Sequence, residues 1–430
     1  MVSQYRSLMN EDKQLAVKVA ILAMSLFLVI VCYSIVKPVR GALVVSDLGA
    51  ASLPQVWIAS SIVTGLLVMA YSKLLDYFNK PQVLLITSAF FGLTLLGIRL
   101  GMESPRPWLS GAFYVWGEVF SVMMVEQVWG LAADSFTTAQ AKRCYGLITA
   151  GSVIGGVVGS ALVLVILKYT GTRNLIYVCI ACLVPLVAGA FFLKDGESQG
   201  GGKPEAQPAS TGALEGFRFI AGSRYLGLIA LLVLLNQVVS NLIDFQSNAV
   251  AEALIPGMDE RTHFFGQIYM AVSVLSLVFS TAVAGPVMSR WGVPATLLVL
   301  PLGNWLGAAF SAVTASAASA AVLRVLDKSL NYSMQRASKE VLYIPVDPLV
   351  RAKAKSVIDM FVYRVSKLVG TLILLPLGAS ALGLVNTLNM ILISAAAVVA
   401  WMAGREFMKA EKAADDSRAE TTLQVSVDFV

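Results

Sequence analysis

The sequence predicts an all-α polytopic membrane protein with twelve transmembrane helices in two six-helix bundles. Three observations predict it. Hydrophobic residues fill 57% of 430 positions and charged residues only 13%, against roughly 25% charged in soluble domains. Mean hydropathy is +0.75. Apolar runs of about 20 residues, the length that crosses ~30 Å of hydrocarbon, recur along the whole chain and fall into two sets of six.

Charged breaks delimit the runs. The first, 18–46, follows Lys13 and Lys18 with no small-residue cleavage site after it, so it reads as an uncleaved signal anchor. The next five are 54–74, 82–100, 108–132, 144–168 and 174–193. "KDGESQGGGKPEAQPASTGA", rich in Gly, Pro, Ser and charge, reads as a flexible linker. Six more runs follow: 224–250, 264–288, 294–313, 315–335, 356–378 and 384–403. The tenth is the weakest, because Arg324, Asp327 and Lys328 lie inside it. The domain map is therefore an N-terminal bundle over 1–193, a cytoplasmic linker over 194–223, a C-terminal bundle over 224–403 and a solvated, partly disordered tail over 404–430.

The net charge of +6 is loop asymmetry rather than a nucleic-acid footprint. Lys142, Arg143, Arg351, Lys353, Lys355 and Arg405 fall in inner loops, while Arg99, Arg106, Lys168, Arg173 and Arg261 fall in outer ones, which places both termini in the cytoplasm. Enzyme chemistry finds no foothold, with no catalytic triad, metal set or cofactor box. "GSVIGGVVG" lacks the GK[ST] ending of a phosphate loop, and Gly151, Gly155 and Gly159 read as a close helix contact. Cys179 and Cys182 read as packing residues. His263, the single histidine, lies beside an outer loop and offers no buried proton relay.

The chemistry lies in polar helix faces inside the spans. Tyr33, Lys37 and Arg40 follow i, i+4, i+7. Each cation at mid-bilayer costs at least ~2.5–3.5 kcal/mol, so the face must look into the bundle. Pro38 between them is expected to kink or open the helix. Glu118 and Glu126 share a face of the fourth span. Asn236, Ser240, Asp244 and Ser247 stripe the seventh, flanked by Gln237, Asn241 and Asn248. Arg324, Lys328, Asn331 and Gln335 stripe the tenth; Asp359, Tyr363 and Lys367 mark the eleventh. Such faces are expected to surround a water-filled cavity. Its cations, Arg364 included, outnumber its acids, so the expected ligand is a small anion held by Arg forks and Lys point charges. The expected binding residues are Tyr33, Lys37, Arg40, Glu118, Asn241, Asp244, Arg324, Lys328, Asn331, Tyr363 and Lys367. Any proton coupling falls to Glu118 or Asp244. Structural pairing of these charges with one another is the competing reading.

The halves repeat. One offset lays "DSFTTAQAKR" from Asp134 on "DPLVRAKAKS" from Asp347, and "SKLLDYFNK" on "GPVMSRWGV". The latter two resemble worn copies of the G-x-L-x-D-R-x-G loop of the major facilitator superfamily. That resemblance implies parallel six-helix repeats with a midplane site. It also implies gating or loop roles for Asp76, Lys80, Asp134, Lys142, Arg143, Arg290, Asp347 and Lys355.

A narrower resemblance follows. "NYSMQRASKEVLYIPVDPLVRAKAKSVIDMFVYRVSKLVG" (Asn331 to Gly370) is similar to the KYSLFDPxKExAYIPL and K-x-K-x-x-x-D segments of the non-mitochondrial ATP/ADP translocases of plastids and energy-parasitic bacteria. "YSIVKPVRG" resembles their Y-x-x-L-R-x-x-K-D, and "WGLAADSFTTAQAKRCYGLI" their WGFANDxFxxxQAKRxY. Glu118 and Asp244 fall near membrane acids of that family. Gly41, Asn331 and the pair Gln335-Arg336 depart from its pattern. The resemblance implies a monomeric secondary transporter of the bacterial inner membrane, free of cofactors, exchanging nucleotides by alternating access. The alternatives are a proton-coupled carrier or exporter of another anionic metabolite, a lipid flippase, or a non-transporting receptor.

Overall fold

The computed structural model describes residues 13–104, 106–136, 138–194, 209–377 and 381–427, and no strand occurs among them. The helices are α1 Lys13–Asp47, α2 Leu53–Tyr77, α3 Lys80–Gly101, α4 Trp108–Ser135, α5 Thr138–Thr170, α6 Leu175–Lys194, α7 Ala209–Gly222 and α8 Arg224–Leu254. Then come α9 Met258–Val278, α10 Ala284–Thr314, α11 Ala317–Leu330, α12 Arg336–Leu342, α13 Pro348–Ser356, α14 Tyr363–Leu374 and α15 Leu382–Val427. Wide π turns at Phe279–Val283, Asn331–Gln335 and Val357–Val362 interrupt α9/α10, α11/α12 and α13/α14. Two of the three lie in the segment from Asn331 to Gly370, and single π turns inside helices frequently mark functional positions.

Among the described residues eight helices are long and apolar enough to cross a membrane, one of them the 57-residue stretch Met258–Thr314. That stretch breaks at Gly292 (φ 76°), just before Pro294, between the expected eighth and ninth spans. The expected tenth and eleventh spans are not among the eight. Their helices are interrupted by the π turns, and the tenth carries Arg324, Asp327 and Lys328, all buried.

Three local expectations change. Pro38 leaves α1 unbroken. Within the linker, residues 195–208 lie outside the described residues, but Ala209–Gly222 is a helix. It is held by a Glu215–Lys353 ion pair, by the Phe217 ring edge-on to Phe361 at 4.9 Å, and by Gly216, where a Cβ would meet the Lys353 carbonyl at 2.7 Å. The tail continues α15 to Val427, since no Gly or Pro follows Gly404 to stop it.

The chain forms two compact units, Met1–Lys203 with Asn248–Val274, and Pro204–Ser247 with Leu275–Val430. In the first, α5 lies against α1 backbone to backbone: Cβ atoms at Gly151, Gly155 and Gly159 would fall 2.4, 2.6 and 2.6 Å from the carbonyl oxygens of Ala23, Phe27 and Val31. The glycines are there to permit contact, as their spacing implies. Lipid tails are as apolar as leucine, so close packing of this kind, rather than hydrophobic burial, holds such helices together. Phe91 and Trp116 meet edge-on at 5.6 Å and Trp116 stacks on Phe120 at 4.9 Å, locking α3 to α4. The Cys179 thiol points at the Cys32 carbonyl, 3.8 Å away, a packing role. In the second unit α10 pairs with α15, where Gly404 admits Pro294.

Candidate functional site

Among the described residues each unit holds a buried charge cluster. In the first, the α1 face of Tyr33, Lys37 and Arg40 meets α4. Arg40 Nη2 donates to Glu118 Oε1 at 2.6 Å. The guanidinium lies over the Tyr114 ring at 4.3 Å, and Trp57 Nε1 donates to the Tyr114 hydroxyl at 2.8 Å. Lys37 Nζ sits over the Tyr33 ring at 4.3 Å and the Tyr269 ring at 5.3 Å. Gly117 makes the room: a Cβ there would lie 2.7 Å from Val36 Cγ1 and 3.4 Å from Arg40 Nη1. Arg40 is buried, and its Nη1 has no hydrogen-bond partner. Arg40 thus pairs with Glu118, and aromatic faces stabilise both cations from the sides. The arrangement leaves one buried donor, Arg40 Nη1, to meet a further acceptor.

In the second unit α8 meets α11. Lys328 Nζ donates to Asp244 Oδ2 at 2.7 Å and Ser240 Oγ at 2.6 Å, and lies 3.5 Å from Asp327 Oδ2. Arg324 Nε pairs with Asp244 Oδ1 at 3.1 Å, and its Nη1 reaches Ser247 Oγ at 3.5 Å. Fully buried Asp327 accepts from Ser240 Oγ at 2.6 Å and Asn304 Nδ2 at 2.9 Å. Two cations and two acids thus meet, and the Lys367 charge also acts on Asp244. Asp244, bridging a lysine and an arginine with its two oxygens, sits as a bound carboxylate or phosphate oxygen pair would sit.

Asn241 donates to the Lys367 carbonyl at 2.9 Å and packs on Gly370, joining α8 to α14. Asn331 opens a π turn, and Tyr363 is about half exposed on α14. Of the expected gating residues, Lys80 pairs with Asp134 at 2.6 Å. Lys355 pairs with Glu340 on α12, and Asp347 caps α13 through the Leu349 and Val350 amides. Asp76, Arg143 and Arg290 are exposed, and the Lys142 side chain lies outside the described residues. Lys353 to Glu215 and Lys339 to Asp359 complete a set of ion pairs that brace the π turn at Val357–Val362.

Sequence reading passed over Tyr114, Tyr269, Asn304 and the site role of Asp327. Tyr114 was within reach, standing four residues before Glu118 on the same helical face. Tyr269 and Asn304 carry no local signal, since only tertiary packing brings them to the clusters.

Compared with known proteins, the chain matches the sequence model of the Major Facilitator Superfamily over residues 22–327 and that of the TLC ATP/ADP transporter over residues 306–411. It is 27% identical over 311 residues to ADP,ATP carrier protein 1 of Chlamydia pneumoniae, a stretch covering 62% of this chain and 60% of that protein. To ADP,ATP carrier protein 3 of Rickettsia bellii (strain RML369-C) it is 25% identical over 315 residues, covering 62% of each. The chain therefore spans about three fifths of the length of these curated relatives. Among solved structures, the nucleoside transporter NupG superposes with a TM-score of 0.67 at 15% identity, covering 92% of this chain and 99% of that one. A bacterial homologue of the iron transporter ferroportin, in an inward-facing state, gives 0.63 at 13% identity over 90% of this chain and 98% of that one. These likenesses are of fold.

Proposed function

The chain belongs to the major facilitator superfamily, and on that premise we propose that it is a secondary transporter exchanging nucleotides of the ADP/ATP type by alternating access. The observation that carries the reading is the first cluster: Arg40 pairs with Glu118 beside Lys37 on the same helix face, and Arg40 Nη1 is buried without a hydrogen-bond partner. Two buried cations are tolerable in a membrane when an arriving anion completes their pairing. Glu118 and Asp244 act in the empty protein as stand-ins for substrate oxygens, and substrate displaces them. That exchange of partners is what biases the conformational equilibrium. The sequence likeness to ADP,ATP carriers supports nucleotide as the anion. It supports a transporter over an enzyme, a flippase or a receptor as well.

With this reading goes the finer architecture: two six-helix bundles over 1–193 and 224–403, both termini cytoplasmic, in the bacterial inner membrane, as a monomer. A C-terminal reporter that fluoresces only in the cytoplasm tests the orientation. The functional test is counterflow. Liposomes loaded with ADP should take up labelled ATP, and the Arg40→Gln protein should not. Uptake that proceeds equally without internal ADP and follows an imposed pH gradient would replace exchange by the proton-coupled alternative. No nucleotide uptake under either condition would sink the nucleotide reading.

A further inference from the structure

Between α7 and the end of α15 the second unit carries an open recess of about 460 Å³ that the charge clusters do not use. Phe219 of α7, Leu226 of α8, Val346 and Val350 around α13 and Ala410 of α15 give it apolar walls, and Arg218 stands among them. Tyr225, on the same wall, commits its hydroxyl to the Leu342 carbonyl at 2.5 Å, so its ring adds to the apolar surface.

The depth of the recess follows from the helices that form it. α8 begins at Arg224 and is apolar from Tyr225 onward, and α15 turns from apolar to charged after Gly404. Exposed Trp401, with the Arg405 guanidinium 4.4 Å from its ring, stands at this same edge, where aromatic side chains collect at a membrane boundary. α7 interleaves Leu214, Phe217, Phe219 and Ile220 with Glu215 and Arg218, the composition of a helix that lies in that boundary. The local charge is positive. Lys353, Lys355 and Lys409 are taken up by Glu215, Glu340 and Glu406. Arg218 is exposed and enters no ion pair among the described residues, and Arg224, also exposed, stands between the lining residues Ser223 and Tyr225. A free anion has no use for apolar walls, and a neutral lipid has none for the arginines. A molecule with an acidic head and a hydrocarbon chain uses both.

We propose that this recess binds one anionic phospholipid, its phosphate on Arg218 and Arg224 and the first part of an acyl chain along Phe219, Leu226 and Val350, and that the lipid fastens α7 to α8 and α15. The proposal rests on the membrane placement of α8 and α15 and on no transported substrate. Its test uses the purified full chain in detergent, with bound lipid counted by native mass spectrometry in equal mixtures of phosphatidylglycerol and phosphatidylcholine. Wild type should retain one phosphatidylglycerol in preference. Arg218→Gln should lower the ratio of the two lipids about 5-fold, the worth of one basic residue at an anionic lipid surface, while Arg106→Gln in the first unit leaves it unchanged. Gly222→Trp, placed where a Cβ meets open space, should fill the recess and abolish retention without lowering the melting temperature. Added phosphatidylglycerol should slow amide exchange across 214–222 in wild type and not in Gly222→Trp. No preference in wild type, or equal falls for Arg218→Gln and Arg106→Gln, overturns the proposal. Full retention by Gly222→Trp overturns it too, leaving only charge attraction at the surface, as does unchanged exchange in α7. Displacement of the lipid by an equal concentration of glycerol phosphate would make the site one for a free anion and sink it as well. None of these readouts involves nucleotide, so failure of the nucleotide reading leaves the test intact.

Discussion

Arg40 is the residue on which most rests. It is buried, paired through Nη2 with Glu118, stacked on Tyr114, and left with a donor to spare. Arg40→Gln should weaken nucleotide binding by about 1.5–3 kcal/mol, the usual worth of a hydrogen bond to a charged group, with the folded yield unchanged. Arg40→Lys should recover part of that loss, because charge survives and the fork does not. Isothermal titration of both variants checks this, and normal binding by Arg40→Gln would make the pair a structural bridge. Glu118 bears on coupling. A proton-coupled cycle would fall to a membrane carboxylate, so Glu118→Gln should leave counterflow measurable and abolish any response of uptake to a pH gradient. A wild-type response in that variant removes Glu118 from the coupling role. Tyr33, Lys37, Arg40 and Glu118 were legible from spacing because one helix face or one facing helix carries them. Asn241 stands on a stripe of the same kind, and its amide donates to the Lys367 carbonyl.

Among the elements, the α1–α5 contact is the most exacting. Gly155 faces the Phe27 carbonyl where a Cβ would stand 2.6 Å from the oxygen. Backbone cannot swing aside as a side chain can, so Gly155→Ala must push the helices apart. Overpacking of this kind typically costs about 1–3 kcal/mol, and thermal unfolding in detergent should register it. Unchanged stability would mean that the contact is looser than drawn. The linker and α11 show where element reading fell short. Gly, Pro and charge marked 194–223 as linker, yet Ala209–Gly222 folds once Phe217 and Glu215 find Phe361 and Lys353. Charges in α11 weakened it as a span because single-sequence hydropathy counts each charge as exposed to lipid. Lys328 is instead paired with Asp244 and Asp327, and Asp327 accepts hydrogen bonds from Ser240 and Asn304.

At the scale of the whole molecule, a carrier that binds nucleotide in its folded form is stabilised by mass action. ATP at 100 times its dissociation constant should add about 2.7 kcal/mol, visible as a raised melting temperature. Adenosine, with the base but no phosphate for Lys37 and Arg40 to meet, should add far less. An equal shift from adenosine would move the recognition away from the charge cluster.

By itself the sequence determined the class and the candidate faces. Runs of about 20 apolar residues admit only a bundle of membrane helices, and helical periodicity then says which charges must look inward. Gly151, Gly155 and Gly159 announced a close contact by their spacing alone. What the spacing left open, tertiary structure decided: which cation meets which acid, and which polar residues join them from distant segments. Tyr269 beneath Lys37 and Asn304 on Asp327 are both of this kind. The reason is physical. A helix face is a local property with a period of 3.6 residues, whereas a partner is chosen by packing between helices far apart in the chain, and no local pattern records that choice.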